Sequence, residues 1–128
     1  MIAVDTNVLI RILVDDPVAA LQMQSARALL VKAEVLYVPQ IVQVETVWVL
    51  ESAYKFDKPA ICKILDHLLQ HPQFQLQAAE SFEAAVTLFR QHSADFSDCL
   101  VLTESTNQQL KLFTFDKKLS RLKGAATP

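Results

Sequence analysis

Residues 1–10 read MIAVDTNVLI. The apolar run Ile2, Ala3 and Val4 is followed at once by Asp5, and Thr6 and Asn7 then lead into a second apolar run. Residues 2–5 read as a short buried strand and residues 7–13 as a short helix. A carboxylate where such a strand gives way to a helix means little alone. It gains meaning if other acids fall in similar places.

Outward from this start, strands and helices alternate. Pro17 suits the first turn of a helix running to about Lys32. Val35–Val38 read as a second strand closed by Pro39, and a long helix follows over about Gln40–Tyr54. Lys58 and Pro59 open a helix that ends near Gln70, and Phe74–Leu76 form a third strand. Ser81, with Glu83 behind it, starts a helix to about His92. Asp95 or Ser97 caps the next helix, to about Gln109. Leu112–Phe115 form a late strand, followed by a basic helical turn over Lys117–Leu122. Strands separated by helices of this length predict an α/β fold, a three-layer α/β/α sandwich around a mostly parallel sheet. In open sheets of this kind, sites form outside the carboxyl ends of the strands. That rule gives Asp5 and Asp116 the same address.

The 128 residues, 52% hydrophobic and 20% charged, predict one globular domain over 1–128. No apolar run reaches membrane-spanning length, and no secretory leader is visible, so a cytoplasmic protein is expected. Cys62 and Cys99 read as core thiols. The single glycine, Gly124, excludes a P-loop, a dinucleotide-binding loop and a nucleophile elbow. The net charge of −2 does not advertise nucleic acid, although Lys117, Lys118, Arg121 and Lys123 crowd the C-terminal region.

Three further acids stand out. Glu45 has Ile41, Val44, Trp48 and Val49 as helical neighbours, so it is expected in a buried apolar stripe, where a lone carboxylate is costly. It then needs a partner, a metal or a raised pKa; a structural salt bridge is the plainer alternative. Glu51 falls on a more polar side of that helix. Asp98 lies in HSADFSDCLVL, further into its helix than Asp95, to which the capping role is assigned. Asp116 follows LKLFTF and is also an ordinary turn residue for starting a helix. Thr114 points away from Phe113 and Phe115 if this is a strand, and can bond a carboxylate or simply pack.

Like charges held together destabilise a fold unless a cation compensates. Oxygen ligands without Cys or His suit Mg2+ or Mn2+, and carboxylates with such metals serve phosphoryl chemistry. His67, His71 and His92 make no pattern with the acids, and the His67/His71 pair reads as surface. With Asp5, Glu45, Asp98 and Asp116 set aside, the rest of the chain carries +2, which suits a polyanionic substrate.

Four stretches in this order, VDTNVLIRIL, VPQIVQVETVWVLESAY, ADFSDCLVL and LFTFDKKLSRL, resemble the PIN-domain ribonucleases, specifically the VapC-type toxins of toxin–antitoxin pairs. The resemblance spans nearly the whole chain. It implies a parallel sheet flanked by helices, with acids clustered at the strand ends. By matching position it makes Asp5, Glu45, Asp98 and Asp116 the catalytic, metal-binding acids, Asp95 an auxiliary acid, and Asn7 and Thr114 polar supports. It further implies RNA cleavage with Mg2+ or Mn2+, a homodimer, and a cognate antitoxin that blocks the pocket. The sequence departs from the family pattern in three places. HSA lacks a glycine before Asp95, VLTESTNQQ is more polar than usual, and the chain stops soon after LKGAATP, where relatives have a final strand.

The reaction expected is hydrolysis of an RNA phosphodiester by a metal-activated water, with Lys117, Lys118 and Arg121 on the RNA backbone. One rival is an inactive PIN-like module that only binds RNA or a partner. A small-molecule phosphohydrolase is weakened by Asn7, where the aspartate-nucleophile type wants a second Asp. A purely structural acid cluster would be satisfied by Arg11 or Arg27. Trp48, Tyr54 and the Val18–Leu21 region are candidate partner surface, or ordinary core.

Overall fold

The computed structural model describes residues 1–128, which divide into two compact units, Met1–Gln77 and Ala78–Pro128. In the first unit, β1 (Ile2–Ala3) leads into α1 (Thr6–Leu13), and a 3-10 turn (Pro17–Ala19) into α2 (Ala20–Lys32). Then come β2 (Leu36–Val38), α3 (Gln40–Ser52), α4 (Lys58–Gln70) and β3 (Phe74–Leu76). The three strands form one parallel sheet in the order β1-β2-β3, with Ile2 beside Leu36 and Leu36 beside Phe74.

Each element has a local cause. The Asp5, Asp16 and Asp57 side chains accept backbone N–H groups at the starts of α1, the 3-10 turn and α4, satisfying donors that helix geometry leaves orphaned. On α4, Ile61, Cys62, Leu65 and Leu68 recur on one face and are buried, worth about 1.5–3 kcal/mol for each large side chain. The Gln43 amide is fully buried in α3 and donates to Val38 O at 3.3 Å and Gln77 O at 2.8 Å, fastening the helix to the chain beyond β2 and β3. Gln73 likewise donates to Leu30 O and Ala33 O, both at 2.9 Å, and so ties the end of α2 to the start of β3.

The second unit runs α5 (Ala79–Gln91), α6 (Phe96–Asn107), β4 (Leu112–Phe113), α7 (Lys117–Ser120) and β5 (Ala125–Ala126). Its core includes Phe82, Val86 and Phe89 of α5 and Phe96, Cys99 and Leu102 of α6. Phe96 meets Phe82 and Phe89 edge-to-face at 5.7 and 5.9 Å. Strands β4 and β5 pair in parallel. Gly124, at φ +96°, makes the turn into β5 that a side chain would strain.

The α/β class with parallel strands is as predicted, and both cysteines are buried free thiols. No helix is long and apolar enough to cross a membrane. Several readings are corrected. The first strand stops at Ala3 and is exposed, because Val4 and Asp5 already turn the chain into α1. Pro17 opens a 3-10 turn before α2 rather than α2 itself. Strand β3 alternates, with Gln75 exposed between buried Phe74 and Leu76. Ser81 does not start α5; it is buried within the helix and accepts from Asn107 Nδ2, while Ala78 holds the cap position at φ +50°. The late strand ends at Phe113, and the final strand expected to be missing is present as β5.

Candidate active site

In the first unit the carboxylates are placed by α1 and α3. Asp5 is the N-cap of α1, in extended backbone, and its Oδ1 accepts Val8 N–H at 3.0 Å. It therefore sits at a helix start rather than directly on a strand end. Next to it, Thr6 Oγ1 donates to Glu45 Oε1 at 3.2 Å. One short stretch thus carries one acid and holds a second.

Glu45 is exposed, which corrects the expected buried stripe. Its neighbours Ile41 and Trp48 are 65% and 67% exposed. The face of α3 turned to the core is instead Val42, Gln43, Thr46, Val47 and Leu50. The apolar residues of α3 run round the helix, so they do not reveal which side faces inward. The support expected from Asn7 comes from Thr6. Asn7 is exposed and lines a cavity of about 400 Å3 between α1 and α2, with Arg11, Leu21 and Ser25. The cue for Thr6 was its hydroxyl at the first helical position beside an acid.

Neither arginine offered as a structural partner serves the acids. Arg11 is 3.5 Å from Asp16, and Arg27 is 2.9 Å from Asp15. Arg11 also donates to Tyr54 OH at 2.8 Å, and that hydroxyl donates to Asp16 Oδ2 at 2.9 Å. Burial and the bond to Asp16 push the Tyr54 hydroxyl's pKa up, partly offset by Arg11. Tyr54 is therefore a structural tie, half-buried, rather than open partner surface. Val18 and Leu21 are 98% and 81% exposed.

In the second unit, Asp98 is half-buried in the first turn of α6. Burial raises its pKa above the ordinary carboxylate value, and the negative charges of Asp95 and Asp116 push it the same way. These three acids share a neighbourhood. Asp95 holds the N-cap position of α6, as expected, but its side chain makes no capping bond and stays exposed. Asp116 caps α7, accepting Leu119 N–H at 2.8 Å, and its own N–H donates to Thr114 Oγ1 at 3.0 Å. Thr114 thus supports Asp116 through the backbone, while Thr114 N–H donates to Ala126 O at 2.9 Å. Strand β5 fixes the segment that presents the acid.

The donor set is carboxylate oxygen, the chemistry of Mg2+ or Mn2+. No three His, Cys, Asp or Glu side chains close around one ion position. Of the cations expected on RNA, Lys118 and Arg121 share the lining of one cavity and Lys117 does not; all three are exposed.

The family model described as PIN domain matches residues 2–125. The VapC ribonuclease of Aquifex aeolicus (strain VF5) is 26% identical over 92 residues, covering 71% of this chain and 68% of that protein. Among solved structures, a toxin–antitoxin complex from Klebsiella pneumoniae aligns over 99% of this chain and 96% of that chain, at 18% identity and a TM-score of 0.38. At that score the structural likeness carries no argument.

Proposed function

This chain belongs to the PIN-domain family, and from that premise we propose that it is a Mg2+- or Mn2+-dependent endoribonuclease acting as the toxin of a type II toxin–antitoxin pair. The observation that carries the reading is the crowding of Asp95 and Asp116 on Asp98, with no ion pair from Lys or Arg to any of them. Burial adds to the same rise, and carboxylates perturbed in this way cluster at functional sites, where a bound cation would offset the repulsion. The similarity to a VapC ribonuclease supports the same reading.

Asp5, Glu45, Asp98 and Asp116 are the acids assigned to the metal, with Asp95 auxiliary and Thr6 and Thr114 in support. A bound divalent cation supplies an activated water and neutralises charge on the phosphoryl oxygens. Asp5 and Asp116 are held by their capping bonds, so they meet the cation already oriented. Thr6 restrains Glu45 in the same way. Water adds to phosphorus, the P–O bond to the leaving ribose oxygen breaks, and that oxygen takes up a proton. The two units serve as one domain in this reading, since the family match spans both. Exposed Val18, Leu21, Ile41 and Trp48 offer apolar surface to the antitoxin and to a second copy in a cytoplasmic homodimer.

The test is incubation of the antitoxin-free protein with total cellular RNA in Mg2+, in Mn2+ and in EDTA, beside Asp5→Asn. Asn caps a helix as well as Asp, so this change removes charge and keeps the helix start. Discrete fragments that need metal and vanish in the variant are expected. A folded protein that binds RNA and metal but cuts nothing would establish the inactive binding module instead.

A further inference from the structure

The second unit has a cavity of about 300 Å3 where the end of α5 meets the turn around α7. Its lining includes Lys118, Arg121 and Lys123, with His92 and Ser93 on the rim and no acid. None of the three cations is paired with a carboxylate, although the chain has more acids than bases. Three like charges round one concavity repel each other, and an anion seated there relieves the cost. Arg121 adds a planar fork suited to two phosphate oxygens.

A second cavity, of about 410 Å3, adjoins the first through shared Leu88 and Lys123. Its lining is different: Ala84 and Thr87 of α5, and Leu102, Thr106 and Asn107 of α6. It is apolar with a few hydroxyl and amide groups, again without an acid. Asn107 uses its Nδ2 on Ser81 Oγ at 3.1 Å, which leaves its Oδ1 to accept. A charged compartment beside an apolar compartment with few polar groups matches the two halves of a nucleotide.

Resting on the nuclease reading, we propose that these adjacent cavities form an RNA subsite apart from the acids. Lys118, Arg121 and Lys123 hold a backbone phosphate, and the Thr87–Leu102–Asn107 compartment takes the attached base. Helix α7 ties the subsite to the reaction, because Asp116 caps the helix that carries Lys118 and, one step beyond its end, Arg121. A phosphate held there fixes the register of the RNA relative to Asp116. The base compartment gives the strand a preference at one position. A run of carboxylates would satisfy the cations but has no group to fill the apolar cavity beside them.

Binding of a labelled single-stranded oligoribonucleotide, measured by fluorescence anisotropy in EDTA, tests this without any need for cleavage. The Lys118→Ala/Arg121→Ala double variant is expected to bind about tenfold more weakly, and its log–log salt slope to shrink by about 0.7, one phosphate contact on a single strand. Thermal melting checks that it is folded. In wild type, a nucleoside monophosphate should compete better than inorganic phosphate, and Thr87→Trp, which fills the second cavity, should erase that advantage. Unchanged affinity and slope in the double variant would overturn the subsite. So would equal competition by inorganic phosphate and the nucleotide, or displacement of the RNA by polyglutamate and not by nucleotides. If wild type cuts RNA while the double variant binds normally, the subsite alone fails. If wild type cuts nothing but the double variant loses binding, the nuclease reading alone fails.

Discussion

Asp98 carries a charge that its surroundings resist. Burial, Asp95 and Asp116 all raise its pKa, so the folded state holds its proton more tightly than the unfolded chain does. The resulting penalty is present above the raised pKa, eases as pH falls through it, and is gone below the ordinary aspartate value of about 3.9. Asp98→Asn is therefore expected to raise the melting temperature at pH 7 while abolishing RNA cleavage, and the gain should shrink as melts are run towards pH 4. A variant that melts lower at pH 7 would remove the idea of stored repulsion. Thr6 makes a different prediction. Thr6→Val loses the bond to Glu45 and should lower kcat about three- to tenfold, the range for a modest hydrogen bond, with little change in melting; Thr6→Ser should restore it. Asp5, Asp98 and Asp116 stood out in the sequence because acids interrupt apolar runs there. The exposure of Glu45 did not, since Ile41, Val44 and Trp48 look alike whether they face core or solvent. Thr6 was passed over because its hydroxyl, although placed at the helix start beside Asp5, does not point to a partner 39 residues away.

Among the elements, α4 and β3 were legible to their ends, with Lys58 and Pro59 opening the helix and the apolar Phe74 and Leu76 marking the strand. The other strands, β1, β2 and β4, were read too long. Two or three paired residues have no period to detect, and apolar residues beyond the pairing continue the run. The start of α5 was missed because Ser81 resembles a cap while the chain breaks at Ala78, in left-handed backbone that no alanine advertises. Gln43 shows what else the pattern hides. It is a polar residue in an apolar stretch, yet it is fully buried and fastens α3 to Gln77 O and Val38 O. Val38 O also accepts Gln77 N–H, so only Gln77 O depends on the amide. Gln43→Leu should cost about 0.5–1.5 kcal/mol in urea unfolding, the net worth of one hydrogen bond to a part-buried carbonyl. A change within the error of the fit would mean that water replaces the amide.

For the molecule as a whole, stability and metal should be linked. If the acids are relieved by a cation, Mg2+ at a hundred times its Kd should add about 2.7 kcal/mol to the folded state, a rise of several degrees in the melting midpoint. Asp98→Asn should lose most of that rise. Equal Mg2+ shifts in both proteins would place the cation elsewhere. The PIN family was legible because four motifs kept their order over the full chain. The adjacent cavities of the second unit were not. Lys118, Arg121 and Lys123 were visible as a basic cluster, but Leu88, Thr87 and Asn107 come from helices that only packing brings beside them.

Asp5 and Asp116 both sit where asparagine serves a helix start as well as aspartate does. One base change in either codon would therefore silence the proposed chemistry and leave the architecture standing. Under the proposed toxin reading, a cell expressing this protein has a short mutational escape that does not create an aggregating product. Survivors selected after induction should include soluble, full-length proteins carrying Asp5→Asn or Asp116→Asn, and these would still occupy the antitoxin. The same caps that hold the acids in place also make the proposed activity easy to lose, and a folded but silent copy is one substitution away.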